Sequence, residues 1–561
     1  MPRKGRPAAV PWSRVRREAA RVGIEKFRPG QREIIEAVLE GRDVLGIMPT
    51  GAGKSATYQI PALVMDGAAV VVSPLIALMH DQQRKAEESD ISAAKLDSTN
   101  TVTEERDRKA EIRAGEHELI YVTPERLENP EYLDLLRRSK ISLFVVDEAH
   151  CVSQWGHDFR PAYLSLRDAR KQLGNPPLLA VTATATPEVT ADILKQLAAR
   201  DPIIVNTGTD RPNIFFEVFR TVNSDAKRDK VRELVTAEQG SCIVYCATVR
   251  ACNELWKWLT DAGVEAGHYH GKLTKKLRQQ AQEQFMSGEC RVMVATKAFG
   301  LGIDKPDVRL VLHYNFPDSV ESYYQEAGRA GRDGEAARAA LLYRLEDRRI
   351  QGFFLGGKYP KREQSQLVYH ALSQRSEHPM GSKEIAEATA LPLRKVQVIV
   401  AQLESARIVE RKGRAIRKVR DFATDAELDA FLSEYEERGS SDRERLDTMM
   451  RYAQTALCRV RFMKEYFGEE TGEKCGHCDN CAHPVEATSS DESQPARVVA
   501  QEPTVPFAAI APQPEVFDAG DHVRHKRFGH GEVVRSENDS VLVRFPKGEK
   551  KVKAEFLKRA S

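Results

Sequence analysis

Leu143-Phe144-Val145-Val146 run straight into Asp147-Glu148-Ala149-His150. The apolar run predicts a buried central strand of a parallel sheet, with the two carboxylates just past its carboxyl end, where open α/β sheets place ligands. There Asp147 can hold Mg²⁺ through water and Glu148 can orient an attacking water. Alone, such a pair also fits a solvated loop or a helix cap. Its weight comes from Val44-Leu45-Gly46-Ile47-Met48 upstream, followed by Pro49-Thr50-Gly51-Ala52-Gly53-Lys54-Ser55. A strand, a glycine-rich turn and a helix start beginning at Ala56 aim consecutive N–H groups into one concavity, a phosphate cradle formed by Thr50, Gly51, Gly53, Lys54 and Ser55. Lys54 is expected to reach the β- and γ-phosphates, and the Ser55 hydroxyl to ligate Mg²⁺ opposite Asp147. The strict pattern has Gly where this chain has Met48, and the competing reading is a structural strand–helix turn.

A second kind of chemistry is written in Cys475-Gly476-His477-Cys478-Asp479-Asn480-Cys481, with Cys458 upstream. Four thiolates at Cys458, Cys475, Cys478 and Cys481 can close a tetrahedral zinc site, with His477 as a competing ligand. A closed site leaves no open coordination position, so its expected role is structural. The other five of nine cysteines, Cys151, Cys242, Cys246, Cys252 and Cys290, are scattered and read as reduced core or near-core thiols, which points to the cytoplasm.

The elements that must position these residues alternate strand and helix over the first 345 residues. Ala69–Val72 leads into Ser73-Pro74, and Leu119–Val122 into Thr123-Pro124; hydroxyls and helix starts at a sheet edge suit a phosphodiester backbone. Leu178–Val181 runs into Thr182-Ala183-Thr184. Upstream, Phe27-Arg28-Pro29-Gly30-Gln31 opens a helix from Glu33 to Glu40; Gln31 can pair with an adenine edge and Arg28 can stack on it. Residues 1–20 are basic and read as frayed or loosely helical. Near Pro212 a second parallel α/β unit begins, with strands at 242–245, 291–296 and 308–312 and no phosphate loop of its own. Its Gln325-Glu326-Ala327-Gly328-Arg329-Ala330-Gly331-Arg332-Asp333 sets two arginines one helical turn apart, suited to a γ-phosphate held on the first unit or to a surface salt-bridge helix.

Length, 561 residues, predicts three to five domains at about 100–200 residues each. Charged residues make up 30% and hydrophobic ones 41%, and the net charge of +3 is too small to identify a nucleic-acid partner by itself. No apolar run approaches the about 18 residues of a membrane span, and Met1–Arg6 lacks a signal core.

Residues 27–332 resemble a superfamily 2 helicase core, and their wording resembles the RecQ DNA helicases: Phe27–Gln31, Met48–Ser55, Asp147–His150 continued by Cys151-Val152-Ser153-Gln154-Trp155-Gly156-His157-Asp158-Phe159-Arg160-Pro161, and Gln325–Asp333. The likeness covers about residues 14–345 and 446–483. It implies an ATP-dependent DNA helicase of 3′→5′ polarity acting in repair and recombination, with ATP and Mg²⁺ between two RecA-like lobes. Arg28, Gln31 and Asp304 join the nucleotide-binding set. Gln325, Arg329 and Arg332 join Lys54, Asp147 and Glu148 in hydrolysis, with either arginine as the finger. The aromatic-rich segment implies coupling of single-stranded DNA to hydrolysis through Trp155, His157, Phe159 and Arg160. Ser73, Thr123, Thr182, Thr184 and Thr296, the last in Ala295–Lys305, belong to the DNA-contact and coupling set. The family often has an aromatic on adenine where this chain has Ile24, so selectivity for adenine is expected to be looser.

Beyond 345 the expected order is lobe 1 (1–207), lobe 2 (208–345), a winged helix (346–440), a zinc-binding helical segment (441–485) with Arg445 to Phe467 helical, a linker (486–514) and a small SH3/Tudor-like barrel (515–561). Helices from Ser382 and Pro392 followed by a β-wing at 408–416 give the winged-helix pattern, and 404–420 carries seven Lys/Arg against two Glu, a duplex-backbone patch or a solvated basic face. A winged helix before the zinc site resembles the shorter RqlH-type bacterial branch. Val523–Val534 resembles the Tudor-like module of UvrD/PcrA helicases, which implies docking to a protein such as RNA polymerase, with exposed Phe528 suited to the contact. DNA as partner places the protein at the nucleoid.

Overall fold

A computed structural model of the protein describes residues 12–74, 76–96, 102–153, 155–156, 158–300, 303–347, 352, 361–375, 379–412, 415–484, 519–525, 529–537, 540–546, 548–553 and 557–559. The chain divides into two compact units, 1–486 and 487–561. Among the described residues the first unit holds a seven-stranded parallel sheet: β1 (Val44–Ile47), β2 (Ala68–Val72), β3 (Ala93–Leu96), β4 (Leu119–Val122), β5 (Ile141–Val146), β6 (Leu178–Thr182) and β7 (Ile203–Asn206), in the order β3-β4-β2-β5-β6-β1-β7. Strands β1, β2 and β6 are buried along their whole length, as both faces are covered by helices; their Val/Leu-rich runs therefore show no alternation. Chain order reverses around β1, β5 and β6, and the loops after β1 and β5 open together at the carboxyl edge.

Among the described residues a six-stranded parallel sheet follows: β8 (Ile214–Arg220), β9 (Ser241–Tyr245), β10 (Ala266–Tyr269), β11 (Val292–Ala295), β12 (Val308–His313) and β13 (Ala337–Tyr343), ordered β10-β11-β9-β12-β13-β8. Next come helices Arg362–Gln374, Ser382–Thr389 and Leu393–Ser405 with a small antiparallel sheet of β14 (Met380–Gly381), β16 (Ala415–Lys418) and β15 (Val409–Lys412) around a core containing Val396, Ile399 and Ile416. Among its described residues the second unit holds a five-stranded antiparallel sheet, β17 (His522–His525) to β21 (Leu557–Arg559) through β18 (Gly529–Glu537), β19 (Ser540–Phe545) and β20 (Gly548–Lys553); β21 returns to pair with β17, over a core containing Val523, Val533, Val541 and Val543.

Three expectations change. Trp12–Arg21 is a regular helix that buries Val15 and Ala19 against helix Ala56–Val64, since its apolar residues fall on one stripe. The helical stretch from Arg445 to Phe467 is two helices, Asp425–Gln454 and Arg459–Tyr466, broken so that Cys458 caps the second. The first of these is continuous through residue 440: Phe431 and Leu432 lie in the three-helix core, while Leu446, Met449 and Tyr452 lie in that of the second parallel sheet. Third, Arg329 and Arg332 sit in the turn after helix Val320–Ala327, not on the helix. His157, Phe528 and the expected linker lie outside the described residues. Among those described, no helix is long and apolar enough to cross a membrane.

Candidate functional site

Strand β1 ends in the loop 48–55, where Gly51 and Gly53 take φ of 85° and 78°, a left-handed backbone that glycine adopts without penalty. A Cβ on Gly53 would also fall 2.6 Å from Gln31 Nε2. Lys54 Nζ donates to Met48 O at 3.2 Å. Burial pushes its pKa down, against the pull of Glu148 and Asp147. Strand β5, paired with β2 and β6, delivers both carboxylates to the same edge. Asp147 accepts from Gln82 Nε2 at 3.2 Å and from the Glu148 N–H at 2.9 Å. Burial raises the pKa of both acids; for Glu148 the Asp147 charge adds to it and Lys54 opposes it. Glu148 sits at φ 48°, ψ 50°, a conformation costly for a side-chain-bearing residue and concentrated at functional sites. His150 Nδ1 lies 3.3 Å from Glu148 Oε2 and 3.0 Å from Thr182 Oγ1, which links Glu148 to the end of β6.

The second sheet completes the cleft. Gly51, a Cβ on which would lie 3.2 Å from Arg332 Cγ, meets the arginine turn directly. Arg329 is buried against Gly300, where an added Cβ would lie 2.9 Å from Nη2. Arg332 Nη1 pairs with Asp304 Oδ1 at 2.5 Å, and Lys85 of the first lobe pairs with the other oxygen of Asp304. The cavity between them is about 770 Å³ and is lined by Lys54, Ser55, Asp147, Glu148, Gln325, Arg329 and Arg332, with Ile24, Arg28, Gln31, Thr50 and Asp304 at its margins. Phosphate-sized anions fit this charge pattern: backbone N–H groups and Lys54 on one wall, two guanidinium groups on the other, and two carboxylates able to hold Mg²⁺ and a water. Asp304 thus acts on Arg332 and Lys85 rather than facing the cavity alone. Gln31 and Arg28 line the cavity and grip its loop: Gln31 Nε2 donates to Gly53 O at 2.9 Å and to Ala52 O at 3.2 Å, its Oε1 accepts from Arg28 N at 2.8 Å, and Arg28 Nη1 bonds Gly51 O.

On the proposed DNA side the hydroxyls are less open than expected. Ser73, Thr123, Thr182, Thr184 and Thr296 are all buried. Thr182 Oγ1 donates inward, to Thr184 O at 3.1 Å, so it serves the loop that contacts His150. Trp155 is half-buried on the core of the first lobe. Arg160 Nη1 donates to Pro74 O at 2.7 Å, tying the aromatic-rich segment to the loop after β2. Phe159 is half-buried beside it. Arg445 bonds Trp155 O and lies 3.8 Å from Glu321, so helix Asp425–Gln454 reaches both lobes.

The four cysteine sulfurs lie within 4.8 Å of one another, with Cys475 and Cys481 3.9 Å apart. Zn–S bonds of about 2.3 Å at tetrahedral angles require sulfurs about 3.8 Å apart, so the set fits the metal. N–H groups of Cys475 and Arg461 point at Cys458 Sγ (3.4 and 3.5 Å), and that of His477 at Cys475 Sγ (3.4 Å), which favours thiolates. His477 turns away: Nδ1 faces Cys475 O at 2.9 Å and Nε2 faces Asp210 at 3.2 Å. This is a four-sulfur structural zinc site. It is stitched to edge strand β8 through Val218 N to Asp479 Oδ2 at 2.8 Å, with Arg459 on the same carboxylate.

Sequence reasoning did not single out Gln82, Lys85, His150, Arg211 or Arg445. His150 stands inside a quoted motif and Gln82 on the helix that follows Ser73-Pro74; the others act across more than 100 residues and leave no local pattern.

The family profile described as DEAD/DEAH box helicase matches residues 28–193, the helicase conserved C-terminal domain 226–334, and the RecQ zinc-binding profile 415–482. The ATP-dependent DNA helicase RecQ of Bacillus subtilis is 38% identical over 461 residues, 82% of this chain and 65% of that protein. R290 of Acanthamoeba polyphaga mimivirus, which carries the name of an ATP-dependent RNA helicase, is 33% identical over 82% of this chain and 70% of its own length. The chain spans about half to two thirds of the length of the first curated relatives it matches (65%, 66% and 51%). Among solved structures, the DUF1998 helicase MrfA bound to DNA shares the two-lobe RecA-like fold at TM-score 0.51 and 18% identity, covering 75% of this chain and 64% of that one. With a RecQ-specific segment lying on the observed cysteine cluster and identity running through both lobes, the chain belongs to the RecQ helicase family.

Proposed function

We propose that the protein is an ATP-dependent 3′→5′ DNA helicase. The observation that carries this is the single cleft in which Lys54, Asp147 and Glu148 of one lobe face Arg329 and Arg332 of the other. Lys54 and the 51–55 backbone hold phosphates, Ser55 and Asp147 hold Mg²⁺, Glu148 orients the water, and the arginines neutralise charge on the γ-phosphate; Gln325 lines the same wall. Relatives named as DNA helicases support DNA as the track, and DNA as substrate places the protein at the nucleoid. Strand displacement from a 3′-tailed duplex with and without ATP tests the reading: displacement that needs no ATP, or none with ATP, overturns it. Greater ATPase stimulation by RNA than by DNA would move it to the RNA helicases, the class in which the mimivirus relative is named.

The bonds of Arg160 to Pro74 and of His150 to Thr182, with His150 3.3 Å from Glu148, support the aromatic-rich segment as the coupling element. Trp155→Ala is expected to leave ATPase without DNA nearly unchanged and to weaken its stimulation by single-stranded DNA, since base stacking on an aromatic is worth about 1–3 kcal/mol. As Trp155 also packs on the lobe, the melting temperature must be read alongside; a large drop with stimulation intact would make it a core residue only.

The helices and three-stranded sheet of 362–418 support a winged helix for duplex DNA within a domain of 346–440, between lobes of 1–207 and 208–345 and a zinc segment of 441–485. The return of β21 to β17 supports an SH3/Tudor-like barrel for 515–561, following a linker at 486–514. Its eleven Lys/Arg against six Asp/Glu over 521–561 suit either DNA or an acidic protein face. Docking to RNA polymerase is the favoured reading, from the likeness to the UvrD/PcrA module. Deleting 515–561 is expected to leave unwinding of a simple overhang unchanged and to abolish co-purification with RNA polymerase after nuclease treatment. Association that vanishes with nuclease and falls steeply with salt would instead make the barrel a DNA contact.

A further inference from the structure

We propose that Arg211 is a positioning residue for ATP hydrolysis, holding the turn that carries Arg329 and Arg332 against the backbone of the phosphate-binding loop. Its planar guanidinium sits in the connection between β7 and β8. Nη1 donates to Thr50 O at 2.8 Å and to Gly328 O at 3.2 Å; Nη2 donates to Ala330 O at 3.0 Å and to Gly331 O at 2.9 Å. Three of these acceptors lie just past the C-terminus of helix Val320–Ala327, where carbonyls lack helical partners and the helix dipole favours a cation. The fourth belongs to the phosphate-binding loop of the other lobe. One rigid fork therefore fixes the distance between the loop that holds phosphates and the turn that supplies the arginines. It also sets a peptide plane: with the Thr50 carbonyl held toward Arg211, the Gly51 N–H of the same trans peptide points the opposite way.

The surroundings hold Arg211 in turn. Asn213 Nδ2 donates to Gly331 O at 2.8 Å and to Glu335 O at 2.9 Å. Gly331 stands at φ 55°, and a Cβ there would lie 2.4 Å from Asn213 Nδ2. On the other side, Thr209 N and Oγ1 donate to Glu469 Oε2 at 3.1 and 3.2 Å, and Lys464 Nζ reaches Asp210 Oδ2 at 2.9 Å. The connection is thus clamped between the zinc-bearing segment and the cleft. Arg211 does not line the cavity, so its effect on hydrolysis runs through the turn and the loop it binds.

The inference rests on the cleft reading above, and the experiment separates the two. Arg211→Ala and Arg211→Lys are compared with Lys54→Ala and Arg332→Ala in DNA-stimulated turnover and in binding of ADP and of ADP with aluminium fluoride, which stands in for the γ-phosphate in flight. Displacing reacting groups by about 1 Å costs on the order of 100-fold, so Arg211→Ala is expected to lose about that much turnover. Its ADP affinity should stay within about threefold of the parent, with affinity for the fluoride complex falling in step with turnover. Arg211→Lys keeps a charge but cannot span four carbonyls, and is expected to recover only part. Thermal melting and zinc content report folding; if the Ala variant does not fold, the Lys variant carries the same comparison. Turnover within threefold of the parent, or equal losses for ADP and the fluoride complex, overturns the role of Arg211. Full turnover in Lys54→Ala and Arg332→Ala overturns the cleft reading itself.

Discussion

Glu148→Gln is expected to bind ATP and Mg²⁺ at close to parental affinity and to lose about 10²–10⁴-fold in turnover, the usual worth of a positioned general base. On the proposed reading the phosphates are held elsewhere, by Lys54 and the 51–55 backbone, so removing one carboxylate charge does not empty the site. What is lost is the group that takes the water's proton, or orients that water, at the end of β5. The amide keeps the length and shape of the side chain, so the left-handed backbone at 148 is equally costly in both proteins and the lobe remains folded. Lys54→Ala contrasts with it: binding and turnover fall together, because the cation contacts phosphate in ground and transition states alike. Single-turnover hydrolysis with filter-bound nucleotide separates the two, and normal DNA-stimulated turnover in Glu148→Gln would remove Glu148 from the chemistry. A pH dependence follows from the same geometry. Burial and the neighbouring Asp147 raise the Glu148 pKa, and in the proposed role the ionised form is the active one. Activity in kcat/KM for ATP should therefore fall on acidification at a pH above the ordinary glutamate range, as the free enzyme's Glu148 takes up its proton.

The two carboxylates were readable because a fully buried parallel strand has no alternation to disguise: Leu143–Val146 and Val44–Ile47 end at charged or glycine-rich residues, and that break marks the sheet's carboxyl edge. The zinc ligands were nearly as plain, since three of them lie within seven residues, while the choice of Cys458 over His477 as the fourth needed the fold, which turns His477 toward Cys475 O and Asp210. The remainder depends on contacts with no local signature. Glu148 takes a left-handed backbone that periodicity does not register. Asp304 was placed with the nucleotide and is held by Arg332 and Lys85, a pairing that requires both lobes to be in place. The arginine pair, spaced as for a helix, falls in a turn because the helix stops at Ala327 and Gly331, between the two arginines, takes a left-handed φ of 55°. Thr182 was assigned to DNA by its position after a strand, yet its hydroxyl is spent on Thr184 and His150. Arg211 precedes a proline in an aperiodic connection; from sequence alone it is one arginine among many, and only the fold brings four carbonyls to it.

Removal of zinc is expected to unfold more than the metal loop. Cys458 and Cys478 are buried in the same core as Phe216 of β8, Tyr323 of helix Val320–Ala327, which leads into the arginine turn, and Tyr452 of helix Asp425–Gln454. β8 lies at the edge of its sheet, and there the zinc loop supplies partners for its backbone: Val218 N bonds Asp479, and Phe216 bridges to Cys478. Loss of the metal leaves four sulfurs crowded at under 4.8 Å, and the loop is expected to spring from β8. Structural zinc contributes about 10–16 kcal/mol of apparent binding free energy in small zinc-finger peptides, and that energy is folding energy. Half of it is already comparable to the roughly 5–15 kcal/mol that stabilises an ordinary domain. Cys478→Ser should therefore lower bound zinc well below the about one ion per chain of the parent. It should also give a lower melting temperature and rapid proteolysis between β8 and residue 482, while lobe 1 stays protected because its sheet is complete without the metal. ATPase is expected to fall with it, since Glu469 and Lys464 of the zinc segment hold the Thr209-Asp210 connection that precedes Arg211. Metal analysis, limited proteolysis and ATPase on the same preparation test the chain of cause. A variant that lacks zinc yet melts and hydrolyses ATP like the parent would sever the zinc segment from the cleft.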